Sequence, residues 1–253
     1  MRSKAVQTGR VSPSEPLAPF VEHYWWVRWD LAEPQTSEVL SYPSVHVTFE
    51  GDVAQIVGVV RAKFARRLEG RGEVFAVKFR PGMFAPWYGQ PIVRLTDRTV
   101  PLSGELGTPA PDLVRDIWAH ADPIARAKAL ETRLLPVLPE LDHQAVLARD
   151  WVARVQAEPT LQSVRALAAT SGLGPRTLQR LFRDYVGVGP KWVVRRFRLQ
   201  EAAELLETSA TTVAEVAAAL GYFDQAHFVR DFKAVVGTTP SEYLRRARAH
   251  AGA

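Results

Sequence analysis

A short pattern of helix and turn residues occurs twice in this chain, fifty positions apart. Residues 178–193 read LQRLFRDYVGVGPKWV, and residues 228–243 read FVRDFKAVVGTTPSEY. With Gly187 placed on Gly237, the coinciding pairs are Arg180 and Arg230, Phe182 and Phe232, and Pro190 and Pro240. A repeat at constant spacing indicates either a stacked array or one module that was duplicated to reach one partner at two places.

Each copy is the second half of a predicted helix-turn-helix unit. In the first unit an alanine-rich helix stops at Gly172, and the next helix begins at Pro175, since proline suits a first helical turn. In the second unit Thr212 and Glu215 form a predicted capping box ahead of the turn. The turn of the second unit is one residue longer than that of the first.

The region from His143 onward has helical spacing throughout and predicts seven helices, the second of them capped by Thr160. The fourth, at residues 190–208, is the longest and at about 19 residues would measure roughly 28 Å. Two major-groove segments on one face of a DNA duplex lie ~34 Å apart. A chain organised in this way could therefore place one module in each of two adjacent groove segments.

The positive charge of the chain lies in the same region. The 253 residues carry a formal net charge of +5, and residues 151–253 hold 14 basic and 9 acidic residues, whereas residues 1–150 are balanced. Twelve of the 14 basic residues are arginines, whose planar forks suit phosphates and guanine edges. A modest positive excess is common on proteins, so its coincidence with the repeat is the stronger indication of DNA binding.

The second helix of each unit has one apolar face and one polar face. Leu178 and Phe182 belong to the predicted core in the first unit, as Phe228 and Phe232 do in the second. Forked donors and amides on the opposite face are the groups that read base edges in a major groove. The predicted outward residues are Arg176, Thr177, Gln179, Arg180 and Arg183, then Gln225, Ala226, His227, Arg230 and Lys233. The alternative is a helical bundle whose arginines are only solvated.

Residues 143–248, with both units, the linking helix and the closing G-x-x-P-x-x-Y, resemble the DNA-binding domain of the AraC/XylS family of bacterial transcription regulators. The resemblance implies that double-stranded promoter DNA is the partner. It also implies base or nearby phosphate contacts for Arg176, Gln179 and Arg180 in one groove, and for Gln225, Ala226, His227 and Arg230 in the next. Arg183, Lys191, Arg195 and Lys233 are interpreted as phosphate contacts, which position a protein without specifying sequence.

The first hundred residues have a strand-like rather than a helical pattern of apolar residues. Short runs rich in Val, Ile, Phe, Tyr and Trp predict strands of a sandwich or barrel, among them KFARRL, EVFAVKF and IVRLT, with EGRGE as a break. Helical segments follow at 109–138, and a proline-punctuated boundary lies near 136–142. We therefore expect a multidomain α+β chain, with a β-rich domain at 1–140 and an all-α DNA-binding domain at 141–253. The family resemblance implies a sensing or dimerising N-terminal domain, often a cupin-type barrel.

Aromatic residues are concentrated in the predicted strands. One face of such strands must be core, and the other could form a dimer interface or line an apolar pocket for a small effector. Core plus interface is favoured over a pocket. The candidate pocket residues are Trp26, Tyr42, His46, Phe49, Arg80 and Trp87.

Other function classes are disfavoured by what the chain lacks. It has no cysteine, which excludes a methyl-acceptor thiolate, and its six histidines are scattered without metal-ligand spacing. We therefore expect that the protein is not an enzyme and that it uses no cofactor or metal. No apolar run is long enough to predict a signal peptide or a membrane-spanning helix.

The expected location is the cytoplasm. RNA polymerase, a small effector and a second copy are candidate partners. The alternatives are a non-specific architectural DNA protein and an N-terminal domain that acts enzymatically on a small molecule.

Overall fold

The computed structural model describes residues 6–208 and 212–251. Residues 1–5, 209–211 and 252–253, which the predicted domain ranges include, lie outside the described residues. Within the described part no helix combines the length and the apolar character that crossing a bilayer requires.

The N-terminal half is built on one antiparallel sheet of six strands, which confirms the predicted β-rich domain. Their order in the sheet is β1-β2-β5-β3-β4-β6. The strands are β1 (Val6–Val11), β2 (Val21–Val39), β3 (His46–Glu50), β4 (Val53–Val57), β5 (Phe64–Phe79) and β6 (Thr99–Pro101).

Two of the predicted strands join into one, because glycine does not break the sheet here. KFARRL and EVFAVKF, with EGRGE between them, belong to the single strand β5. Gly72 lies opposite Trp29 in β2, and a Cβ on Gly72 would lie 2.2 Å from the Trp29 ring. Gly72 therefore leaves room for the indole of Trp29 to pack across the strand pair. The predicted break was wrong.

The predicted strand IVRLT was also wrong. Residues Ile92–Leu95 form a 3-10 helix after Pro91. Ile92 and Leu95 are each 1% exposed. A spacing of three places both side chains on the inward side of a 3-10 turn, whereas a strand would point them to opposite faces.

One face of the sheet packs on three helices, α1 (Ala85–Tyr88), α2 (Ala110–Trp118) and α3 (Pro123–Leu134). Arg126 of α3 is buried and donates hydrogen bonds to Glu73 of β5 at 2.6 and 3.3 Å. Large side chains fill the space between sheet and helices, and they include Tyr24, Val47, Phe49, Ile56, Phe75 and Val77.

The C-terminal half contains the seven predicted helices. They are α4 (His143–Ala157), α5 (Val164–Ser171), α6 (Pro175–Leu181), α7 (Pro190–Thr208), α8 (Val213–Ala219), α9 (Gln225–Val236) and α10 (Pro240–Ala251). Helix α6 continues into a wider π-turn over Phe182–Val186. The capping box of Thr212 and Glu215 is confirmed.

The predicted cap Thr160 was wrong. Ser163 caps α5 instead, and its side chain accepts the backbone N–H of Ala166 at 3.1 Å. Leu161, between the two, is buried and belongs to the core. The chain therefore turns after α4 and places Leu161 in the core before α5 begins.

Each half of the helical region has its own apolar core, and α7 passes through both. Phe182, Val193 and Phe197 belong to the first core. Leu206 and Phe232 belong to the second. The two units are thus separate modules mounted on one helix, as the duplicated sequence suggests.

Candidate nucleic-acid interface

The first helix-turn-helix unit consists of α5 and α6. Gly172 ends α5 in the left-handed conformation, with φ of 67°, and its N–H donates to the carbonyl of Ala168 at 3.1 Å. Leu167 and Leu178, one from each helix, are completely buried. This core contact fixes the angle at which α6 leaves the unit.

The outer face of α6 is exposed, as its spacing predicts. Gln179 lies over the turn after the helix, since a Cβ on Gly189 would stand 2.9 Å from its amide nitrogen. Its amide therefore flanks the N-terminus of α7, where Lys191 is also exposed. The exposed predicted residues are Arg176, Thr177, Gln179, Arg180 and Arg183.

The second unit, α8 and α9, repeats this arrangement. Gly221 has the same φ of 67° as Gly172. Asp224 caps α9 by accepting the N–H of His227 at 2.6 Å. The predicted contacts on α9, all exposed, are Gln225, Ala226, His227, Arg230 and Lys233. The structure thus brings each predicted set onto one accessible helix face.

Two predicted phosphate contacts already form ion pairs within the protein, and the exposed Arg183 does so with Asp184 at 3.4 Å. Arg195 of α7 is half-buried and forms an ion pair with Asp231 of α9 at 3.0 Å. Asp231 also accepts a hydrogen bond from Tyr222 at 3.4 Å and lies 3.7 Å from the imidazole of His227. A phosphate would have to compete with this carboxylate for Arg195, so the phosphate role of Arg195 stays a prediction.

Part of the positive charge of α7 is structural rather than available to DNA. Arg196 is 3% exposed, and burial lowers the pKa of its guanidinium. Arg198 donates to the carbonyl of Leu220 and lies over the ring of Tyr222 at 4.5 Å. Counting charges along the sequence could not distinguish these arginines from the exposed ones on α6 and α9.

The six candidate pocket residues do not share one site. Trp26, Phe49 and Trp87 contribute to the core between sheet and helices. Tyr42 and His46 lie on the other side of the sheet, where the amino group of Lys78 is 3.9 Å from the Tyr42 ring. Arg80 donates to the carbonyl of Ala18 at 2.7 Å. Because strand side chains alternate between faces, proximity in sequence did not place these aromatics together.

The outer face of the sheet carries a polar cluster that the sequence reasoning only partly found. His46 accepts the indole N–H of Trp25 through Nδ1 at 3.0 Å. Burial, followed by the positive charge of Lys78, lowers the pKa of His46 to about 3. Burial likewise lowers the pKa of His23 to about 4. Both imidazoles are therefore neutral at physiological pH.

This face packs against the helical domain. The ring of Tyr42 meets that of Phe197 in α7 edge to face, with centroids 5.4 Å apart, and the Tyr42 hydroxyl donates to Gln156 of α4. Val59 is 1% exposed within the first helical core. The indole N–H of Trp192 donates to the carbonyl of Arg61 at 3.3 Å. The N-terminal domain is consequently attached to the helix that carries both helix-turn-helix units.

Among the described residues no group of three or more His, Asp or Glu side chains is arranged to hold a metal ion.

Two family models match the chain. A model described as a helix-turn-helix domain matches residues 167–246. A model described as a domain of unknown function (DUF6597) matches residues 9–101. Residues 102–166, which include α2, α3 and α4, lie between the two matches.

Curated relatives are transcription regulators. The chain is 32% identical over 146 residues to the HTH-type transcriptional regulator GlxA of Rhizobium meliloti, which covers 58% of this chain and 44% of the relative. It is 28% identical over 123 residues to the RCS-specific HTH-type transcriptional activator RclR of Escherichia coli, covering 40% and 43%. The chain thus spans less than half the length of these relatives.

A solved structure of a probable AraC family transcriptional regulator from Rhodopseudomonas palustris is 31% identical, with a TM-score of 0.36. The match covers 39% of this chain and 94% of that one.

Proposed function

We propose, from the premise that residues 167–246 form an AraC-type helix-turn-helix domain, that this chain is a transcription regulator that binds DNA sequence-specifically. One observation supports this more than any other. Two equivalent helices, α6 and α9, each present an exposed row of Arg and Gln side chains, and both are mounted on α7. Each helix would enter one of two adjacent major-groove segments.

Within each row the chemistry divides base reading from phosphate binding. Arg180 lies in the last turn of α6 and Arg230 in the middle of α9, and each guanidinium would donate two hydrogen bonds to a guanine. Gln179 and Gln225 carry amides, which contribute little to phosphate affinity and would read adenine. Arg176 and Thr177 of α6, and Ala226 and His227 of α9, would lie beside them against bases or the neighbouring backbone. Arg183, Lys191, Arg195 and Lys233 would neutralise phosphates along the groove edges.

The N-terminal domain would regulate or dimerise the DNA-binding half. Its Tyr42 and Ser41 contact Phe197 and Arg196 of α7, so a change in the sheet would reach the helix that spaces the two reading units. A small effector, a second copy and RNA polymerase are the partners proposed for this control. The effector would bind beside Tyr42 and His46, where the sheet meets the helical domain, since the other four candidate residues lie elsewhere.

The chain is proposed to act without catalysing a reaction, since its curated relatives are transcription regulators. It would act in the cytoplasm, where bacterial DNA lies.

The decisive experiment is selection from a random duplex library by the purified full-length protein at moderate salt, followed by sequencing of the retained DNA. The expected motif has two half-sites about one helical turn, ~10.5 base pairs, apart. An Arg180→Ala/Arg230→Ala double variant should lose the motif, and Arg71→Ala, an exposed arginine on β5, should keep it.

Retention of DNA without any motif would refute sequence-specific binding. It would instead support the architectural alternative, for which a steep salt dependence without sequence preference is expected.

A further inference from the structure

Among the described residues, Phe223 is the most exposed of the large apolar side chains noted as exposed. It is 97% exposed, whereas the other large apolar side chains noted as exposed range from 39% to 54%. It lies in the turn between α8 and α9, directly before Asp224, the cap of the DNA-reading helix. Burial of a phenyl ring is favourable, so a ring left almost wholly in water adds no apolar burial to this fold.

Comparison of the two turns identifies Phe223 as the inserted residue. In the first unit Gly172 is followed by Leu173, which packs on the core, and then by Gly174, the residue that caps α6. In the second unit Gly221 is followed by Tyr222 and then by Phe223 before the cap is reached. The extra position between the inward residue and the cap is the one that carries the phenyl ring.

The inward position of the second turn is already occupied. Tyr222 is 9% exposed, and its ring lies 5.2 Å from that of Phe228, centroid to centroid. The Tyr222 hydroxyl donates to Asp231, and Arg198 covers the other side of the ring. Because Tyr222 occupies this position, the Phe223 ring cannot pack in the core there. The cap made by Asp224 fixes the backbone that directs Phe223 outward.

The surface around Phe223 indicates which partner it meets. The residues that follow it are the exposed Gln225, Ala226 and His227 at the start of α9, which would lie closest to the bases. Among base edges in the major groove, the C5-methyl of thymine is the apolar group, and phenylalanine and alanine are side chains that contact it.

We propose that Phe223 packs against a thymine methyl in the groove segment read by α9 and so adds a sequence preference that the first unit lacks. This inference rests on the proposed function and extends it to a residue outside the polar helix face.

The test uses duplexes of the selected motif in which each thymine of the α9 half-site is replaced, one at a time, by deoxyuridine. Deoxyuridine pairs like thymine but lacks the methyl group. The full-length wild-type protein should bind at least one substituted duplex about fourfold more weakly, as expected for one buried methyl. Phe223→Ala should bind the thymine and deoxyuridine duplexes equally, and Phe223→Leu should retain part of the difference.

The matched control is Ile124→Ala, which removes an exposed apolar side chain from α3 in the N-terminal domain. It should behave as wild type on every duplex. Because Phe223 is so exposed, thermal unfolding of Phe223→Ala should coincide with that of wild type, which separates a lost contact from a lost fold.

Three results would overturn the inference. The wild-type protein could show no thymine preference in the α9 half-site. Phe223→Ala could keep that preference, which would assign it to Ala226. Phe223→Ala could also bind DNA as wild type yet fail to activate transcription in vitro, which would assign the ring to RNA polymerase. If wild type selected no motif at all, the proposed function itself would fall, and the selection experiment detects this separately.

Discussion

Arg196 and Ser41 lie 155 positions apart, and the Arg196 Nε–H donates a hydrogen bond to the Ser41 carbonyl oxygen. Arg196 is in the middle of α7, and Ser41 follows the end of β2. Arg196 also donates to Gln200 on its own helix at 3.4 Å. This buried guanidinium joins the sheet domain to the helix that holds both helix-turn-helix units.

Replacing Arg196 by methionine should weaken the association of the two domains. Methionine fills a similar volume but leaves the Ser41 carbonyl without its donor, which costs about 1–3 kcal/mol. Urea unfolding should show that loss, or a separation into two transitions. Arg71→Met, an exposed control on β5, should change the unfolding free energy by less than about 0.5 kcal/mol. Equal stability of the two variants would show that Arg196 does not couple the domains.

Arg180→Ala and Arg230→Ala should each weaken binding to the selected duplex by about 1–3 kcal/mol and relax base preference in one half-site. The reason is that each guanidinium would pair with a guanine edge. Fluorescence anisotropy on the selected duplex and on single-base variants measures both effects. If either variant kept full discrimination in its half-site, the corresponding helix face would have been assigned incorrectly.

Lys233→Ala should behave differently from Arg230→Ala, although both residues are exposed on α9. A lysine on a phosphate contributes equally to all sequences, so affinity should fall alike for selected and scrambled duplexes. The slope of log affinity against log salt should become shallower by about 0.9 for the one lost contact. A change confined to the selected duplex would instead place Lys233 against a base.

His46 should make the stability of the protein depend on pH. The folded-state pKa of about 3 lies below the ordinary value of 6.5, because burial disfavours the charged imidazole. The unfolded chain therefore binds the proton first, and stability that is fully present above pH 6.5 is lost as the pH falls toward 3. The loss approaches about 1.4 kcal/mol per pH unit for one such group.

The variant His46→Gln keeps an acceptor for Trp25 and removes that titration. The fall in unfolding free energy between pH 6.5 and 5 should therefore be smaller in the variant than in wild type. His23, whose pKa is also lowered, leaves part of the dependence in place. If the pH dependence of His46→Gln coincided with that of wild type, the expectation would be contradicted.

Gly58→Ala should destabilise the protein by about 3 kcal/mol or more, at the upper end of overpacking costs. A Cβ at this position would lie 1.8 Å from the carbonyl oxygen of Leu95, which is backbone and cannot rotate away. The displaced segment includes Val59, which packs in the helical core. Thermal and urea unfolding measure the effect.

Gly51→Ala is the control for this substitution. Gly51 has a φ of 55° and nothing within 4 Å of the added Cβ, so only the left-handed backbone is penalised, by about 1–2 kcal/mol. Equal losses at both positions would mean that the approach of Leu95 to Gly58 is not a fixed contact.

The helices of the C-terminal half could be predicted from the sequence because the signals that start and end a helix are local. Gly172 indicates where α5 ends, and Pro175 indicates where α6 begins. The apolar residues three and four positions apart indicate which side of α6 faces solvent. The repeat added a second, independent instance of the same signals. The exposure of Arg180 and Arg230 therefore followed from sequence spacing alone, although their contacts with DNA remain predictions.

Local sequence signals were enough to predict a β-rich half, seven helices and two helix faces that expose Arg and Gln, since hydrophobic period and caps act within a few residues. The tertiary structure was needed to show that Trp26 and Tyr42 lie on opposite sides of one sheet, that Arg196 and Arg198 serve the fold, and that Phe223 stays in solvent. Those outcomes depend on which distant strands pair and on which side chains already fill the core. Both are long-range contacts, so a short stretch of sequence does not specify them.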